Sequence, residues 1–177
     1  CRIINPLPSA DCLSAAHAIK AFGAEVDIGC EVDDFGKPLG IPATEWIVKG
    51  AGENFHLPSN TIDVGNSGST LYFFTPVASV FEGKSIFTGD ESICKRPVNH
   101  LLDALRQLGA FAQTTRKGID APPFEVIGPI KAGKVTTDGR LSQYISGLMM
   151  ASTLLDGKLE IELTDPKETP YLTMTQI

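Results

Sequence analysis

The residues best suited to chemistry form a run of small and polar side chains, Gly65-Asn66-Ser67-Gly68-Ser69-Thr70, between a predicted strand and a predicted helix. Small side chains let a ligand approach the backbone, and a helix N-terminus offers unpaired N–H groups and a positive dipole end. These properties suit a phosphate or a carboxylate. The run is neither a P-loop nor a G-x-G-x-x-G motif. A tight turn capped by Ser and Thr explains the same residues, so the run alone leaves both interpretations open.

Two further segments place polar groups at predicted helix starts. Ser142-Gln143-Tyr144 follows the turn Asp138-Gly139-Arg140, and its hydroxyl and amide groups suit an oxyanion or a sugar-like hydroxyl. Lys95-Arg96-Pro97 puts two cations before a helix, and arginine is suited to bidentate binding of carboxylate or phosphate. Helix caps and a solvated basic loop are the alternatives. Three such helix starts together favour one shared anion site, and we expect them to converge.

The sequence shows no set of residues for proton transfer, nucleophilic catalysis or metal binding. No Ser/His/Asp or Cys/His constellation and no acid–base pair of carboxylates is recognisable. The four cysteines contain no C-x-x-C pair, and the three histidines do not cluster near them. We therefore expect no catalytic residue and no zinc site on this chain. A chain of this size and apolar content needs no disulfide scaffold, which favours reduced thiols and the cytoplasm.

Composition excludes two classes of protein. The 177 residues include 15 Lys+Arg and 21 Asp+Glu, a formal net charge of −6, which argues against a sequence-independent nucleic-acid binder. No apolar run approaches the roughly 20 residues that span a bilayer. Hydrophobic residues make up 42% of the chain and charged residues 20%, which is typical of a globular domain.

Periodicity predicts three series of strands and helices that would position these residues. The predicted helices are Ser9–Phe22, Leu71–Phe81, Pro97–Gly109, Ser142–Leu155 and one that starts near Thr169. The predicted strands are Arg2–Leu7, Ala24–Ile28, Glu45–Val48, Thr61–Val64, Lys84–Thr88, Phe111–Thr115, Phe124–Ile127, Lys134–Thr137 and Lys158–Leu163, with a loop at Asp33–Pro38. The middle series is a β-α-β-α-β-β unit; the first lacks the opening β-α and the third lacks the closing β-β.

The chain resembles the enolpyruvyl transferases, and most closely the branch that serves the shikimate pathway of aromatic amino acid biosynthesis. Five segments match motifs of that family in order, and together they cover nearly the whole chain. These segments are Ile4–Asp11, Asp63–Thr70, Thr88–Pro97 with the helix up to Gly109, Asp138–Tyr144, and Thr169–Tyr171 with Thr173.

The resemblance implies an α/β fold and a division of labour. Family members have two globular halves, each made of three β-α-β-α-β-β units around a pseudo-threefold axis, and ligands bind between the halves. Residues 1–177 would be a single half-domain that is incomplete at its C-terminus. Its partners would be phosphoenolpyruvate, shikimate-3-phosphate and the missing second half, which carries most of the groups that handle protons. The implied reaction transfers a carboxyvinyl group to a hydroxyl without a metal or cofactor.

The resemblance also implies roles for individual residues. Asn66, Gly68 and Ser69 would line the phosphoenolpyruvate site, and Arg96 would offer it a cation. The shikimate ring or its phosphate would contact three further residues, which are Ser142, Gln143 and Tyr171.

Three positions depart from the family motifs. The glycine loop usually continues to an Arg, where this chain has Tyr72; Leu141 replaces the first Ser of S-S-Q; and Glu168 stands where the family has a Ser before Pro-Tyr. A carboxylate at that last position would repel a substrate phosphate. A related transferase with another hydroxyl acceptor, or a non-catalytic ligand-binding domain of the same fold, are therefore the alternatives.

Overall fold

The computed structural model describes residues 1–31, 39–40 and 43–177. The loop predicted at Asp33–Pro38 lies outside the described residues. The described chain is a mixed α/β structure in which strands and helices follow each other in three series, as the sequence predicts.

The middle series is a complete β-α-β-α-β-β unit, which confirms the prediction. Its elements are β4 (Ile62–Asp63), α2 (Gly68–Ala78), β5 (Gly83–Thr88), α3 (Asn99–Gln107), β6 (Phe111–Thr114) and β7 (Phe124–Gly128). The strands form one sheet in the order β4-β5-β7-β6. β4 runs parallel to β5, whereas β7 pairs with both β5 and β6 in antiparallel fashion.

The first and third series are shorter within the described residues, again as predicted. The first consists of β1 (Arg2–Ile4), α1 (Ala10–Ala21), β2 (Glu25–Asp27) and β3 (Glu45–Lys49), with the antiparallel sheet order β1-β3-β2. The third consists of β8 (Gly133–Thr137), α4 (Ser142–Ser152), β9 (Leu159–Leu163) and α5 (Thr169–Gln176), with β8 parallel to β9.

Local signals in the sequence explain the ends of α1. The Ser9 hydroxyl accepts a hydrogen bond from the Cys12 N–H at 3.3 Å, so Ser9 is the N-cap that the sequence predicts. Gly23 ends the helix with φ +103°, a left-handed conformation that suits glycine. Short-range hydrogen bonding therefore sets both boundaries.

Two predicted helix starts differ from the structure. α2 begins at Gly68 rather than Leu71, because the Ser67 hydroxyl caps the Thr70 N–H at 3.2 Å. The prediction that Pro97 lies in the first turn of α3 is wrong, since α3 begins at Asn99 with Val98 as N-cap. The proline favours an extended conformation in the preceding residue, and Arg96 has φ −78° and ψ 131°. Arg96 and Pro97 therefore link a short 3-10 turn to α3 as extended chain.

The core is built around α2 and α4, which pack against each other. α2 buries residues around most of its circumference, and Leu71, Phe87, Phe124, Leu105 and Leu148 are fully buried in the surrounding core. A helix that is apolar on most sides is typical of a position inside the domain. The buried α2 therefore lies inside the domain and contacts α4 directly.

The contact between α2 and α4 depends on one proline and one glycine. Pro76 has no N–H, so the carbonyl of Tyr72 lacks the hydrogen bond that the residue four positions later donates in a regular helix. Gly147 of α4 packs against this carbonyl so closely that a Cβ on Gly147 would lie 2.3 Å from the Tyr72 oxygen. The two helices can therefore pack this closely only because residue 147 is a glycine, which has no Cβ.

We predict that Gly147→Ala destabilises the protein by about 1–3 kcal/mol, as overpacking does in other cores. The methyl group would meet backbone atoms, which cannot move aside as a flexible side chain would, and this outweighs the gain in helix propensity. Urea unfolding measures the change. Gly133→Ala is the matched control, since a Cβ there meets nothing within 4 Å. Equal stability of the two variants would contradict the prediction.

Candidate functional site

The glycine-rich run forms the turn between β4 and α2. The Asp63 carboxylate accepts a hydrogen bond from the Gly65 N–H at 2.8 Å, and Gly65 adopts φ +56°. Ser67 is buried and caps the helix, and it also accepts a hydrogen bond from the Thr70 hydroxyl at 2.8 Å. The capping interpretation is thus correct for Ser67, while Asn66 is exposed and Ser69 is half-buried. Their side chains remain accessible to a ligand.

Arg96 lies directly against the start of α2. A Cβ on Gly68 would lie 2.3 Å from Nη1 of Arg96, so the guanidinium occupies the space that any other residue at position 68 would fill. Within the described residues, the Arg96 guanidinium makes no hydrogen bond or ion pair. The start of α2 therefore has the Arg96 guanidinium beside its backbone, with its N–H donors not used in hydrogen bonds to the described residues.

A hydrogen bond joins the starts of α2 and α4. The Gln143 amide Nε2 donates to the Ser69 hydroxyl at 2.8 Å, across 74 residues of sequence. Both side chains are half-buried. The bond follows from the close packing of the two helices, which places their first turns side by side. It also brings two of the three predicted helix starts together.

Asp90 organises the loop that leads to Arg96, and the sequence analysis missed it. Its carboxylate accepts from the Asn66 amide at 2.5 Å and from the Ile93 N–H at 2.9 Å, while its own N–H donates to the Gly65 carbonyl at 2.8 Å. These hydrogen bonds, the Ile93 bond first, hold the pKa of Asp90 below its ordinary value. An Asp three residues before a helical turn is a capping signal that could have identified it.

Tyr72, which stands where the family motif has an arginine, makes a structural contact. Its hydroxyl donates to the Pro97 carbonyl at 3.1 Å, and its ring lies in an edge-to-face arrangement with Tyr144. Burial raises the pKa of Tyr72, partly opposed by the positive charge of Arg96. Tyr72 therefore braces the extended link on which Arg96 sits.

Glu168 caps the start of α4. Its Oε2 accepts from the Ser142 N–H at 3.0 Å and from the Ser142 hydroxyl at 2.8 Å. Leu141, the N-cap residue, has no side-chain hydrogen bond to offer. The two Ser142 donors hold the pKa of Glu168 below its ordinary value, the backbone donor first. The Glu168 carboxylate thus accepts the two Ser142 hydrogen bonds that the sequence analysis assigned to a ligand.

A cleft of about 410 Å³ adjoins this contact, between α2, α4 and α5. Its lining includes Ser142, Gln143, Glu168 and the exposed ring of Tyr171. Direct contacts therefore gather Gly68, Ser69, Arg96 and Gln143, and Asn66 joins them through Asp90. Ser142 and Tyr171 lie on the neighbouring cleft, which shares Gln143 with that group.

Three titratable groups of the candidate site are held in fixed charge states. Asp90 and Glu168 are held ionised by hydrogen bonds, and burial shifts the pKa of Tyr72 upward, so these three groups are not poised near neutral pH. In the part of the chain that the structure describes, no three His, Cys, Asp or Glu side chains are grouped so that they could hold a metal ion. The arrangement can bind an anion and orient it.

We predict that Glu168→Ala lowers the free energy of unfolding by about 0.5–2 kcal/mol at neutral pH, because it removes the helix cap of α4. The folded-state pKa of Glu168 is lowered, so its contribution is present above the ordinary carboxyl pKa and is lost as the pH falls through the lowered value. Thermal unfolding from pH 7 to pH 2 should show the difference between the two proteins disappear in acid.

Glu82→Ala is the control for this experiment, since Glu82 is exposed and makes no hydrogen bond or ion pair with the described residues. A pH-independent difference for Glu168→Ala would contradict the prediction.

Comparisons with known proteins identify the family of the chain. Residues 1–176 match the profile of the EPSP synthase family (3-phosphoshikimate 1-carboxyvinyltransferase). Proteins named 3-phosphoshikimate 1-carboxyvinyltransferase are similar to the chain: that of Methanocaldococcus jannaschii is 43% identical over 177 residues, and one from Methanococcus maripaludis is 41% identical over 174. These matches cover 98% and 97% of this chain but only 38% and 37% of the relatives, so the chain spans little more than a third of their length.

A solved structure, EPSP synthase from Acinetobacter baumannii, has the same fold. It matches with a TM-score of 0.75 at 23% identity, over 94% of this chain and 35% of that protein. The α/β architecture expected from the resemblance is therefore confirmed. Because the family profile covers all but one residue, the chain belongs to the EPSP synthase family.

Proposed function

We propose that residues 1–177 form a single substrate-binding half-domain of a carboxyvinyltransferase. The observation that carries the proposal is the Arg96 guanidinium against Gly68, beside the hydrogen-bonded pair of Ser69 and Gln143. Phosphoenolpyruvate has a phosphate and a carboxylate, and an arginine without an ion pair suits either group.

The start of α2 supplies further donors for phosphoenolpyruvate. The first intrahelical hydrogen bond of α2 joins the Leu71 N–H to the Ser67 carbonyl at 3.1 Å, so the N–H groups of Gly68 and Ser69 precede it. An anion at this position gains from those N–H groups and from the helix dipole. Asn66 and Gln143 add amide donors from two sides.

In the proposed reaction, the acceptor hydroxyl loses its proton and adds to the enolpyruvyl carbon that bears the phosphate oxygen, while the methylene carbon gains a proton, and a tetrahedral adduct forms. Loss of phosphate from the central carbon, together with a proton from the new methyl group, leaves the carboxyvinyl ether. This chain binds and orients the substrates, with Ser142, Gln143 and Tyr171 on the acceptor side. Groups that move protons belong to the second half of the molecule, which is the chain's partner in this proposal.

Shikimate-3-phosphate is the first candidate acceptor, because the similar proteins are named for it. A related hydroxyl acceptor is the second, and the contact of Glu168 with Ser142 favours it, since a carboxylate already holds the two donors there.

The proposed compartment is the cytoplasm. Its support is chemical: Cys1, Cys12, Cys30 and Cys94 all carry free thiols, which persist in a reducing environment. Among the described residues, no helix has the length and apolar character that crossing a bilayer requires.

We predict that phosphoenolpyruvate binds at Arg96 with a dissociation constant of the order of millimolar, about 4 kcal/mol of binding free energy. Arg96→Ala should weaken this binding about tenfold, since a hydrogen bond to a charged group is worth about 1.5–3 kcal/mol. Backbone amide shifts of Ser69 and Gln143 during titration measure it.

Lys95→Ala is the matched control for Arg96→Ala, because it removes the same charge at the neighbouring position. The Lys95 side chain is exposed and pairs with Glu91. Equal weakening by both variants would mean that only the net charge matters. No change with Arg96→Ala would show that the glycine loop is merely a turn.

We also predict that the 177-residue chain alone does not turn over. The site lacks groups poised for proton transfer, and general acid–base catalysis typically contributes about 10²–10⁴-fold to the rate. Phosphate release from phosphoenolpyruvate, with either acceptor present, measures turnover. Robust activity of the isolated chain would contradict the division of labour proposed here.

A further inference from the structure

The Arg116 side chain joins the β6–β7 loop, residues 115–123, to the chain segment that carries Arg96. Its Nη2 donates to the Cys94 carbonyl at 2.6 Å and also to the Pro122 carbonyl within its own loop. Cys94 lies in the 3-10 turn that directly precedes Arg96. One guanidinium therefore fixes this turn relative to the β6–β7 loop.

The β6–β7 loop also holds the chain on the other side of Arg96. The Val98 N–H donates to the Asp120 carbonyl at 2.9 Å. The loop itself is closed at its base, since the Thr115 N–H donates to the Pro123 carbonyl at 2.9 Å. Backbone groups two residues before and two residues after Arg96 are thus hydrogen-bonded to one closed loop, which fixes the position of the Arg96 backbone.

The position of the Arg96 backbone matters because the Arg96 guanidinium lies in a narrow place. A Cβ on Gly68 would be only 2.3 Å from its Nη1. Among the described residues, no hydrogen bond or ion pair holds the guanidinium there. A long side chain without such bonds keeps much of its rotamer freedom, so its reach depends on where its backbone begins. A tilt of the backbone at Arg96 would therefore move the cation away from the start of α2.

The partners of Arg116 are those of a positioning group rather than of a stabilising ion pair. Both acceptors are neutral backbone carbonyls, and no carboxylate of the described chain pairs with the guanidinium. Its Nε is buried and makes no hydrogen bond to the described residues. A buried donor without a partner is destabilising, and so is the partial burial of an unpaired charge. These costs offset the stability gained from the two hydrogen bonds, so the main effect of Arg116 is geometric.

We propose that Arg116 is a positioning residue of the anion site: through the Cys94 carbonyl it holds the Arg96 guanidinium against Gly68. The inference rests on the proposed binding of phosphoenolpyruvate at Arg96, and it adds the residue that keeps this cation in place. Arg116 contacts the backbone and no ligand. Its effect on binding therefore passes through Arg96 alone.

The test is a double-mutant cycle between Arg116 and Arg96. Phosphoenolpyruvate is titrated into the wild-type chain, Arg116→Met, Arg96→Ala and the double variant, with the backbone amides of Ser69 and Gln143 as the readout. Arg116→Met removes the donors and keeps the aliphatic bulk, whereas Arg116→Lys is the conservative variant.

Arg106→Met is the matched control for Arg116→Met. The Arg106 Nε also donates to a backbone carbonyl, that of Ala112 at 2.7 Å, but this carbonyl lies outside the β6–β7 loop. The control therefore removes the same charge and a similar hydrogen bond without loosening the segment that carries Arg96.

We expect Arg116→Met to weaken phosphoenolpyruvate binding about three- to tenfold, and no more than Arg96→Ala does, because only the hydrogen bonds of Arg96 to the anion are affected. Arg116→Lys should lie between Arg116→Met and the wild type, since a lysine keeps the charge but not the fork of donors. Added to Arg96→Ala, Arg116→Met should cause no further loss. Arg106→Met should leave the affinity unchanged.

Urea unfolding shows that each variant is folded during the titration. If Arg116→Met does not fold, Arg116→Lys takes its place in the cycle, and its smaller loss must likewise vanish beside Arg96→Ala. A loss that persists in the Arg96→Ala background is the signature of a merely structural role.

Undiminished binding by Arg116→Met, or the same loss with and without Arg96, would overturn the inference. A loss of equal size in Arg106→Met would overturn it as well, because the effect would then not depend on the loop. If phosphoenolpyruvate shifts Ser69 in the wild-type chain and the cycle shows no coupling, only the inference fails. If it shifts nothing near Arg96 in the wild-type chain, the proposed function fails and the inference fails with it.

Discussion

The close approach of α2 and α4 is the constraint on which the candidate site depends. Pro76 leaves the Tyr72 carbonyl without the donor that a regular helix provides four positions later, and the backbone of Gly147 fills the space beside it. The helices can then lie near enough for the Gln143 amide to reach the Ser69 hydroxyl. Gly147 thus controls the distance between the two turns of the candidate site. Core packing of this density transmits small changes in volume over such distances.

The charged groups around the candidate site differ in whether they are hydrogen-bonded within the chain. The Asp90 carboxylate is satisfied by the Ile93 N–H and the Asn66 amide, and the Glu168 carboxylate by Ser142. Both acidic groups are therefore committed to hydrogen bonds within the chain. Arg96 is not committed in this way, and it lies where a helix dipole adds to its charge. A chain with a net charge of −6 can thereby present a local site for an anion.

Local sequence signals predicted most of the architecture. Strand and helix positions in the three series agree with the structure to within a few residues, and the Ser9 cap and the Gly23 stop are correct. These features depend on hydrogen bonds and conformational preferences that act over three or four residues. Pro97 was placed wrongly because its helix is preceded by an extended link, in which the Val98 N–H donates to the distant Asp120 carbonyl at 2.9 Å.

The amino-acid sequence alone determined which residues stand at the three turns and which positions depart from the family motifs. Only the tertiary structure decided what those residues do. It placed the Arg96 guanidinium against Gly68. It showed that Tyr72, at the position of a family arginine, donates a hydrogen bond to the Pro97 carbonyl. It also joined Glu168 to Ser142 by a hydrogen bond across 26 residues of sequence. Repulsion of a phosphate by Glu168 could be expected from its charge, but its role as the cap of α4 could not. The reason is physical: contacts between distant segments depend on how the helices pack, and residue spacing carries no information on that packing.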